Sequence, residues 1–467
     1  MTQDRTTPNE LGTESIGKLL RKFAVPGIIA MTASSLYNMV DSVFIGHIPD
    51  VGSLAISGLA VTFPLMNLST ALGTLVGMGA ATLLSVLLGQ KNYDAANKVL
   101  ANHFTLTTII GVAFAVFCLL FLDPILGLFG ASEKTLPFAR EYMRIILYGN
   151  VITHLYFGLN NLIRSSGNPR LAMGLTLFTV IFNTILDPIL IFTFGMGIQG
   201  AAIATVISQA IALTYSILHF TKPTSVPRLP KRLKELVNVD WKVAKSSLTI
   251  GLGPFLMNSA QCLVTMFINR QLLKYGGDLA IGSFGIVNRI NFLFIMIIMG
   301  LNQGMQPIVG YNFGARNYSR VKQVFKSTVK WACLVCVLWF VFSEFFPWIL
   351  AGLFTDDPEL KGLAIENQRI MNPVVLVVGW QMVSANLFQS LGMIHKSILL
   401  SLSRQLLFLI PLIYVLPIFM GVKGVFFAFP CSDAVSFTMA VIMIIGLFRK
   451  LAKLKDGDEP TILGSNI

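Results

Sequence analysis

The chain has 467 residues, 54% of them hydrophobic and only 12% charged, and its mean hydropathy is +0.71, whereas soluble domains carry about 25% charged residues. That excludes an ordinary soluble fold and a single membrane anchor alike, because the length has room for about twelve apolar spans of about 20 residues. The net charge of +13 is not gathered on a soluble domain, as nucleic-acid binding would require; its Lys and Arg residues punctuate the ends of apolar runs.

The first residues, up to about Gly17, are polar and carry both charge signs, unlike a cleaved secretory signal, so the first span is expected to stay in the protein. Apolar runs between polar breaks then predict spans near 18–45, 54–82, 97–122, 137–163, 170–193, 198–220, 246–273, 279–305, 326–350, 364–390, 397–419 and 424–448. The chain divides accordingly into an N-terminal tail (1–17), a first lobe of six spans (18–220), a basic linker (221–245), a second lobe of six spans (246–450) and a C-terminal tail (451–467). The linker holds Lys222, Pro223, Pro227, Arg228, Pro230, Lys231, Arg232 and Lys234, a composition suited to a cytoplasmic connection.

Positive charge sets the orientation, since cytoplasmic loops hold Lys and Arg in excess. One side collects Lys18, Arg21, Lys22, Lys91, Lys98, Arg164, Arg170, the linker, Arg316 through Lys326, Lys396, Arg404 and the tail from Arg449 to Lys455. The other carries Asp50, Asp123, Glu133, Asp278, Asp356, Asp357 and Glu359. Both termini are therefore expected in the cytoplasm, which requires an even number of spans.

The halves repeat. Leu54-Ala55-Ile56 recurs as Leu279-Ala280-Ile281, Gly89 with Asn92-Tyr93 recurs as Gly314 with Asn317-Tyr318, and Gly167 answers Gly392, each by 225 positions (279−54, 314−89, 392−167). Gly197-Ile198-Gln199-Gly200 matches Gly421-Val422-Lys423-Gly424 at 224 (421−197). Because six is even, the two halves enter the membrane in the same direction as parallel repeats, and in duplicated transporters the substrate site lies where the repeats meet.

An ionisable side chain inside a span costs at least about 2.5–3.5 kcal/mol, so each one calls for an explanation. Asp41 lies about 28 Å of helix beyond Lys22, and Asp187 about 25 Å beyond Arg170, at about 1.5 Å per residue. The two carboxylates thus reach similar depth in the outer half of the first lobe. Tyr37 sits one turn before Asp41, Asn183 one turn before Asp187, and Thr205 early in the sixth span. Such a pair in a poorly hydrated pocket can bind and release a coupling proton. The competing explanation is structural: Asp187, followed by Pro188, shapes a helix break.

The second half differs at these positions. With Pro26 aligned on Pro254, an offset of 228 (254−26), the partner of Asp41 is Asn269; later in the repeat the position answering Asp187 falls at Ile410, beside Pro411, at a spacing of 223 (410−187). Arg289 and Asp433 each lie about 13–15 Å along a helix entered from outside, where they can form a structural ion pair or, with Asn269 and Gln261, contribute to a substrate cavity. Pro26 and Pro254 predict kinks, either hinges for alternating access or static packing features. Cys118, Cys262, Cys333, Cys336 and Cys431 all fall inside spans, so Cys333 and Cys336 are expected to pack rather than bind metal. His47, His103, His154, His219 and His395 form no catalytic set with a nucleophile, so the protein is not expected to be an enzyme. A channel would more naturally repeat its polar ring in both halves.

In their order and spacing, Tyr37-Asn38-Met39-Val40-Asp41-Ser42-Val43-Phe44-Ile45-Gly46, Leu88-Gly89-Gln90, Arg164-Ser165-Ser166-Gly167-Asn168 and Asn183 with Asp187-Pro188 resemble the multidrug and toxic-compound extrusion (MATE) family, in its branch of bacterial multidrug exporters, over roughly residues 15–450. The resemblance implies an all-α polytopic membrane protein of twelve transmembrane helices, in two six-helix lobes set as a V around a central cavity. It implies efflux of drugs, mostly amphipathic organic cations, in exchange for inward H+ or Na+, with no cofactor beyond the coupling ion. The cation-coupling positions carried over are Tyr37, Asp41, Asn183, Asp187 and Thr205; Asn160 also matches, although its depth places it nearer the cytoplasmic end. Some members bind Na+ through acids on their seventh and tenth spans, where this chain has only Gln261, Gln381 and Asn386, a departure that favours protons at the first-lobe pair. The expected setting is the bacterial cytoplasmic (inner) membrane, the expected working unit a monomer, and the expected partners are lipid and small organic molecules, not nucleic acid. The related alternative, a flippase for lipid-linked oligosaccharides, would line its cavity with several cations to hold a pyrophosphate, and Arg289 stands nearly alone at that depth.

Overall fold

The computed structural model describes residues 10–49, 51–230, 236, 238–354 and 357–459. The outer parts of both tails, Asp50, Lys231, Arg232, Lys234 and Asp356 lie outside the described residues, as do the side chains of Asn38, Met39, Cys262 and Asp278. The described chain is helical and contains no strand, as a lipid setting requires, since helices close their backbone hydrogen bonds within each segment.

In chain order the first half holds α1 (Ile16–Gly46), α2 (Gly52–Gly89), α3 (Tyr93–Leu120), α4 in two segments (Leu136–Tyr148 and Asn150–Ser165), α5 (Pro169–Pro188) and α6 (Gly197–Thr221). The second half holds α7 (Trp241–Gly277), α8 (Leu279–Gly314), α9 (Tyr318–Phe345), α10 (Pro358–Ser390), α11 (Ile394–Met420) and α12 (Val422–Leu451). Gly277, at φ 64°, lets the chain turn between α7 and α8 without a Cβ clash. Among the described residues eleven helices are each long and apolar enough to cross a membrane. The twelfth crossing is α4, expected as one span over 137–163 but divided at Gly149 into segments of 13 and 16 residues. A Cβ on Gly149 would overlap the side chain of Val206 on α6, so the glycine that interrupts α4 also lets α6 approach it.

The duplication is written into the backbone. Lys91 and Arg316, the two non-glycine residues with positive φ among the described residues, stand 225 apart (316−91), and so do Gly167 and Gly392, also at positive φ. Asn92 and Asn317 take nearly the same pre-helical conformation, φ −88° and −92°, at the starts of α3 and α9.

By contacts the chain forms two compact units: one is built from Ile29–Asn258, the other from Glu14–Ile28 together with the residues from Ser259 on. These units differ from the sequence halves because α1 and α7 each change unit partway along, just after Pro26 and just after Pro254. In the first unit the opening turns of α7 cross α2 so closely that a Cβ on Gly251 would overlap the carbonyl oxygen of Leu75, and one on Gly79 that of Ser247. In the second unit the opening turns of α1 cross α8 the same way, through Gly27 against Gly300 and Ala24 against Gly304.

The apolar core of the first unit gathers Ile45, Leu65, Leu126, Met143, Leu147 and Ile198. That of the second gathers Val264, Ile268, Phe284, Leu409, Ile413 and Phe426, with Ile410 packed against it. At Asp240 the described end of the linker is fastened to α3. Asn102 on α3 pairs both ways with the backbone of Asp240, at 2.9 and 3.1 Å, and the Lys98 ammonium bonds the Asp240 carboxylate at 2.9 Å. The Lys98 hydrogen bond holds the Asp240 carboxyl below the usual range. In the second unit the chain after α12 repeats the arrangement on α9: Asp456 accepts from the Ser319 amide at 3.0 Å and Tyr318 donates to the Asp458 carbonyl at 2.7 Å.

Candidate functional site

The first unit brings four helices together around two acids. Asp41 on α1 is 6% exposed and Asp187, near the end of α5, is fully buried. Asn183, one turn earlier on α5, donates from Nδ2 to Asp187 Oδ1 at 2.8 Å. The Tyr37 hydroxyl, one turn before Asp41, lies 2.9 Å from Thr205 Oγ1 on α6. Asp41 and Asp187 are within electrostatic reach of each other and of Tyr37. Five of the expected residues thus stand in one place.

A sixth belongs with them. Tyr142, on the first segment of α4, is 3% exposed and feels both carboxylates. Sequence reasoning missed it, although a phenol a few residues into a span entered from the same side as Thr205 has the right depth. Ile45, Met143 and Ile198, on the same helices as Asp41, Tyr142 and Thr205, belong to one buried apolar cluster.

Three buried oxygens here, Asp41 Oδ1, Asp187 Oδ2 and Asn183 Oδ1, have no hydrogen-bond partner. Neither acid forms a salt bridge among the described residues. Buried carboxylates without positive charge are costly, and oxygens alone, from carboxylates, an amide and hydroxyls, suit a proton or a hard cation such as Na+.

Asn160 is placed elsewhere. It is buried on the second segment of α4, donating to the Ala172 carbonyl at 2.9 Å and accepting from Arg164 Nη2 at 3.4 Å. Of the histidines, His154 is buried and bonded to Ser69 at 2.9 Å, and His103 packs its ring on Gly158. Cys336 packs against Gly379.

In the second unit the expected pairing of Arg289 with Asp433 is not found. Arg289 is exposed, and the Asp433 carboxylate, 7% exposed, accepts from Arg404 Nη1 at 3.1 Å. The reason is local: residues Ser403–Leu409 of α11 form a π-helical segment, whose wider turn re-aims side chains, and Ser432 on α12 holds the Arg404 carbonyl at 2.8 Å. From its sequence position Arg404 read only as a topology signal. Gln261 accepts from Gln405 Nε2 of the same segment at 3.0 Å. Asn269 is half-buried, and Ile410 belongs to the apolar core, so no second carboxylate site stands at the repeat positions.

A multi-pass helical protein with two sequence-related halves and a pair of uncompensated acids buried in one of them has the build of a membrane transporter with an internal duplication. The chain belongs to the MatE family, whose profile matches it twice, over residues 26–189 and 253–415. Curated relatives include the multidrug export protein MepA of Staphylococcus aureus (strain MSSA476), 29% identical over 436 residues, covering 92% of this chain and 94% of that protein. The MepA of Staphylococcus haemolyticus (strain JCSC1435) is 28% identical over 444 residues, covering 94% and 95%. Among solved structures, an outward-facing multidrug resistance MATE transporter of the MOP superfamily matches with a TM-score of 0.89 at 23% identity, over 97% of this chain and 100% of that one. A MOP superfamily transporter from Pyrococcus furiosus Vc1 (DSM3638) matches with a TM-score of 0.90 at 23% identity over the same shares. These neighbours share the twelve-helix fold.

Proposed function

We propose that the protein exports structurally varied, amphipathic and mostly cationic organic compounds across the bacterial cytoplasmic membrane, in exchange for inward-moving H+, by alternating access. The observation that carries the coupling is the pair Asp41 and Asp187, buried together with three partnerless oxygens and no salt bridge among the described residues. Multidrug export is supported by the names of relatives aligned over nearly the whole chain. Na+ is the alternative coupling ion, since the same oxygens suit it. Both termini are assigned to the cytoplasm from the Lys and Arg asymmetry, and the working unit is taken as a monomer because the candidate site is complete within one unit.

In this scheme a bound cation lowers the negative charge of the buried pair. Binding and release of that cation change the energy of the surrounding helices, and the change is returned as movement against the substrate gradient. Export of a fluorescent organic cation from everted vesicles, driven separately by a pH and by a Na+ gradient, tests this. Asp41→Asn is expected to abolish export under the pH gradient; full-rate export by the variant under both gradients would remove the coupling assignment.

A further inference from the structure

Buried polar side chains continue from the acids along the facing sides of α5 and the second segment of α4. Below Asn183, one turn down α5, Thr179 meets the Tyr156 hydroxyl at 3.3 Å. One turn further, Asn160 reaches Thr176 Oγ1 at 3.5 Å and the Ala172 carbonyl at 2.9 Å. The series ends at Arg164, only 7% exposed, which donates to Asn160 Oδ1 at 3.4 Å and to Asn161 Oδ1 at 3.3 Å. From Asp187 to Ala172 it covers about 22 Å of helix, most of an apolar layer about 30 Å thick.

Two features of Arg164 call for an explanation. Its guanidinium is buried, yet its acceptors are neutral amides, and among the described residues no acid pairs with it. Buried charges are ordinarily paired, because desolvation otherwise costs several kcal/mol. It also stands at the end of the polar series away from the acids, where the charge asymmetry of the loops places the cytoplasm. Alternating access fails if the coupling cation can slip through a lobe from its site to the inner side. Hydroxyls and amides spaced about a turn apart offer that shortcut, and a fixed positive charge at its end blocks cations while leaving the polar groups satisfied.

We propose that Arg164 is the electrostatic stopper of this track, preventing H+ or Na+ bound at Asp41 and Asp187 from leaking through the first unit. The proposal rests on the coupling role given to those acids above.

The test uses the full-length protein in liposomes loaded with a pH-sensitive dye, under an imposed pH gradient with the membrane potential clamped and no organic substrate. Arg164→Gln is expected to admit protons about tenfold faster than wild type, equivalent to about 1.4 kcal/mol of barrier. Arg164→Lys, which keeps the charge, is expected to stay near the wild-type rate. Asn161→Asp sets a carboxylate on the guanidinium with almost no change of shape, so it should raise the leak and carries the test if Arg164→Gln does not fold. Adding Asp41→Asn and Asp187→Asn to Arg164→Gln should return the leak to the wild-type rate.

An unchanged leak in Arg164→Gln and in Asn161→Asp, or a raised leak that persists without the two acids, overturns the stopper. The coupling assignment fails separately, on undiminished gradient-driven export by Asp41→Asn, so the two failures are distinguishable.

Discussion

Asp433 and Asp41 show how differently two buried acids are treated. Asp433 has Arg404 against it at 3.1 Å, and Asp41 has no basic partner among the described residues. A paired carboxylate is a settled structural element, whereas an unpaired one is free to take up a mobile cation. Arg404→Met leaves Asp433 buried without positive charge and is expected to cost about 3 kcal/mol, read as a lower Tm of the purified protein. The double variant Arg404→Met/Asp433→Leu should recover most of that loss, since the remaining side chains are apolar. No recovery would mean that the pair does more than neutralise itself. The acids were legible as ionisable residues in long apolar runs. Their partners were not, because which cation meets Asp433 depends on a π-helical turn that sequence periodicity does not announce.

Helix crossings in each unit are set by glycine. At Gly251 the backbone of α7 lies against the Leu75 carbonyl of α2, and at Gly304 that of α8 lies against Ala24 of α1. Gly79 and Gly304, one at each crossing, stand at the repeat spacing of 225 (304−79), so the same device serves both units. Close approach of this kind replaces the hydrophobic drive that lipid cannot supply. Gly251→Ala must push α7 away from α2 and is expected to destabilise the protein by about 1–3 kcal/mol, measurable as a lower Tm. Gly285, around which an added Cβ meets nothing, supplies the control: Gly285→Ala should leave Tm unchanged or slightly raised. Span positions were legible from hydropathy, but the division of α4 at Gly149 was not, nor was the approach of Val206 from α6 that leaves no room for a Cβ there, because that contact comes from another helix.

For the whole molecule, duplication and charge placement define the topology. Matching positive-φ residues at Lys91 and Arg316 and at Gly167 and Gly392 record two copies of one fold. Six crossings per copy return the chain to the side on which it started. Alkaline phosphatase fused after Leu451 is therefore expected to be inactive, and fused after Gly130 active, in bacterial cells; the opposite pattern would reverse the orientation drawn from Lys and Arg. The units defined by contacts do not coincide with the repeats, because α1 and α7 each divide their length between the two. Pro26 and Pro254 stand close to the points at which α1 and α7 pass from one unit to the other.

By itself the sequence determined the membrane class, the positions of the spans, the duplication and the two acids inside long apolar runs, because hydropathy, charge placement and repeat spacing are properties of the chain read in order. Tertiary structure decided the rest: that Tyr142 joins the acids, that Arg404 and not Arg289 neutralises Asp433, that Asn160 serves Arg164, and that α1 and α7 are shared between units. Each of these depends on which helix faces which across a few ångströms, and such facing is set by packing between distant segments rather than by any local pattern.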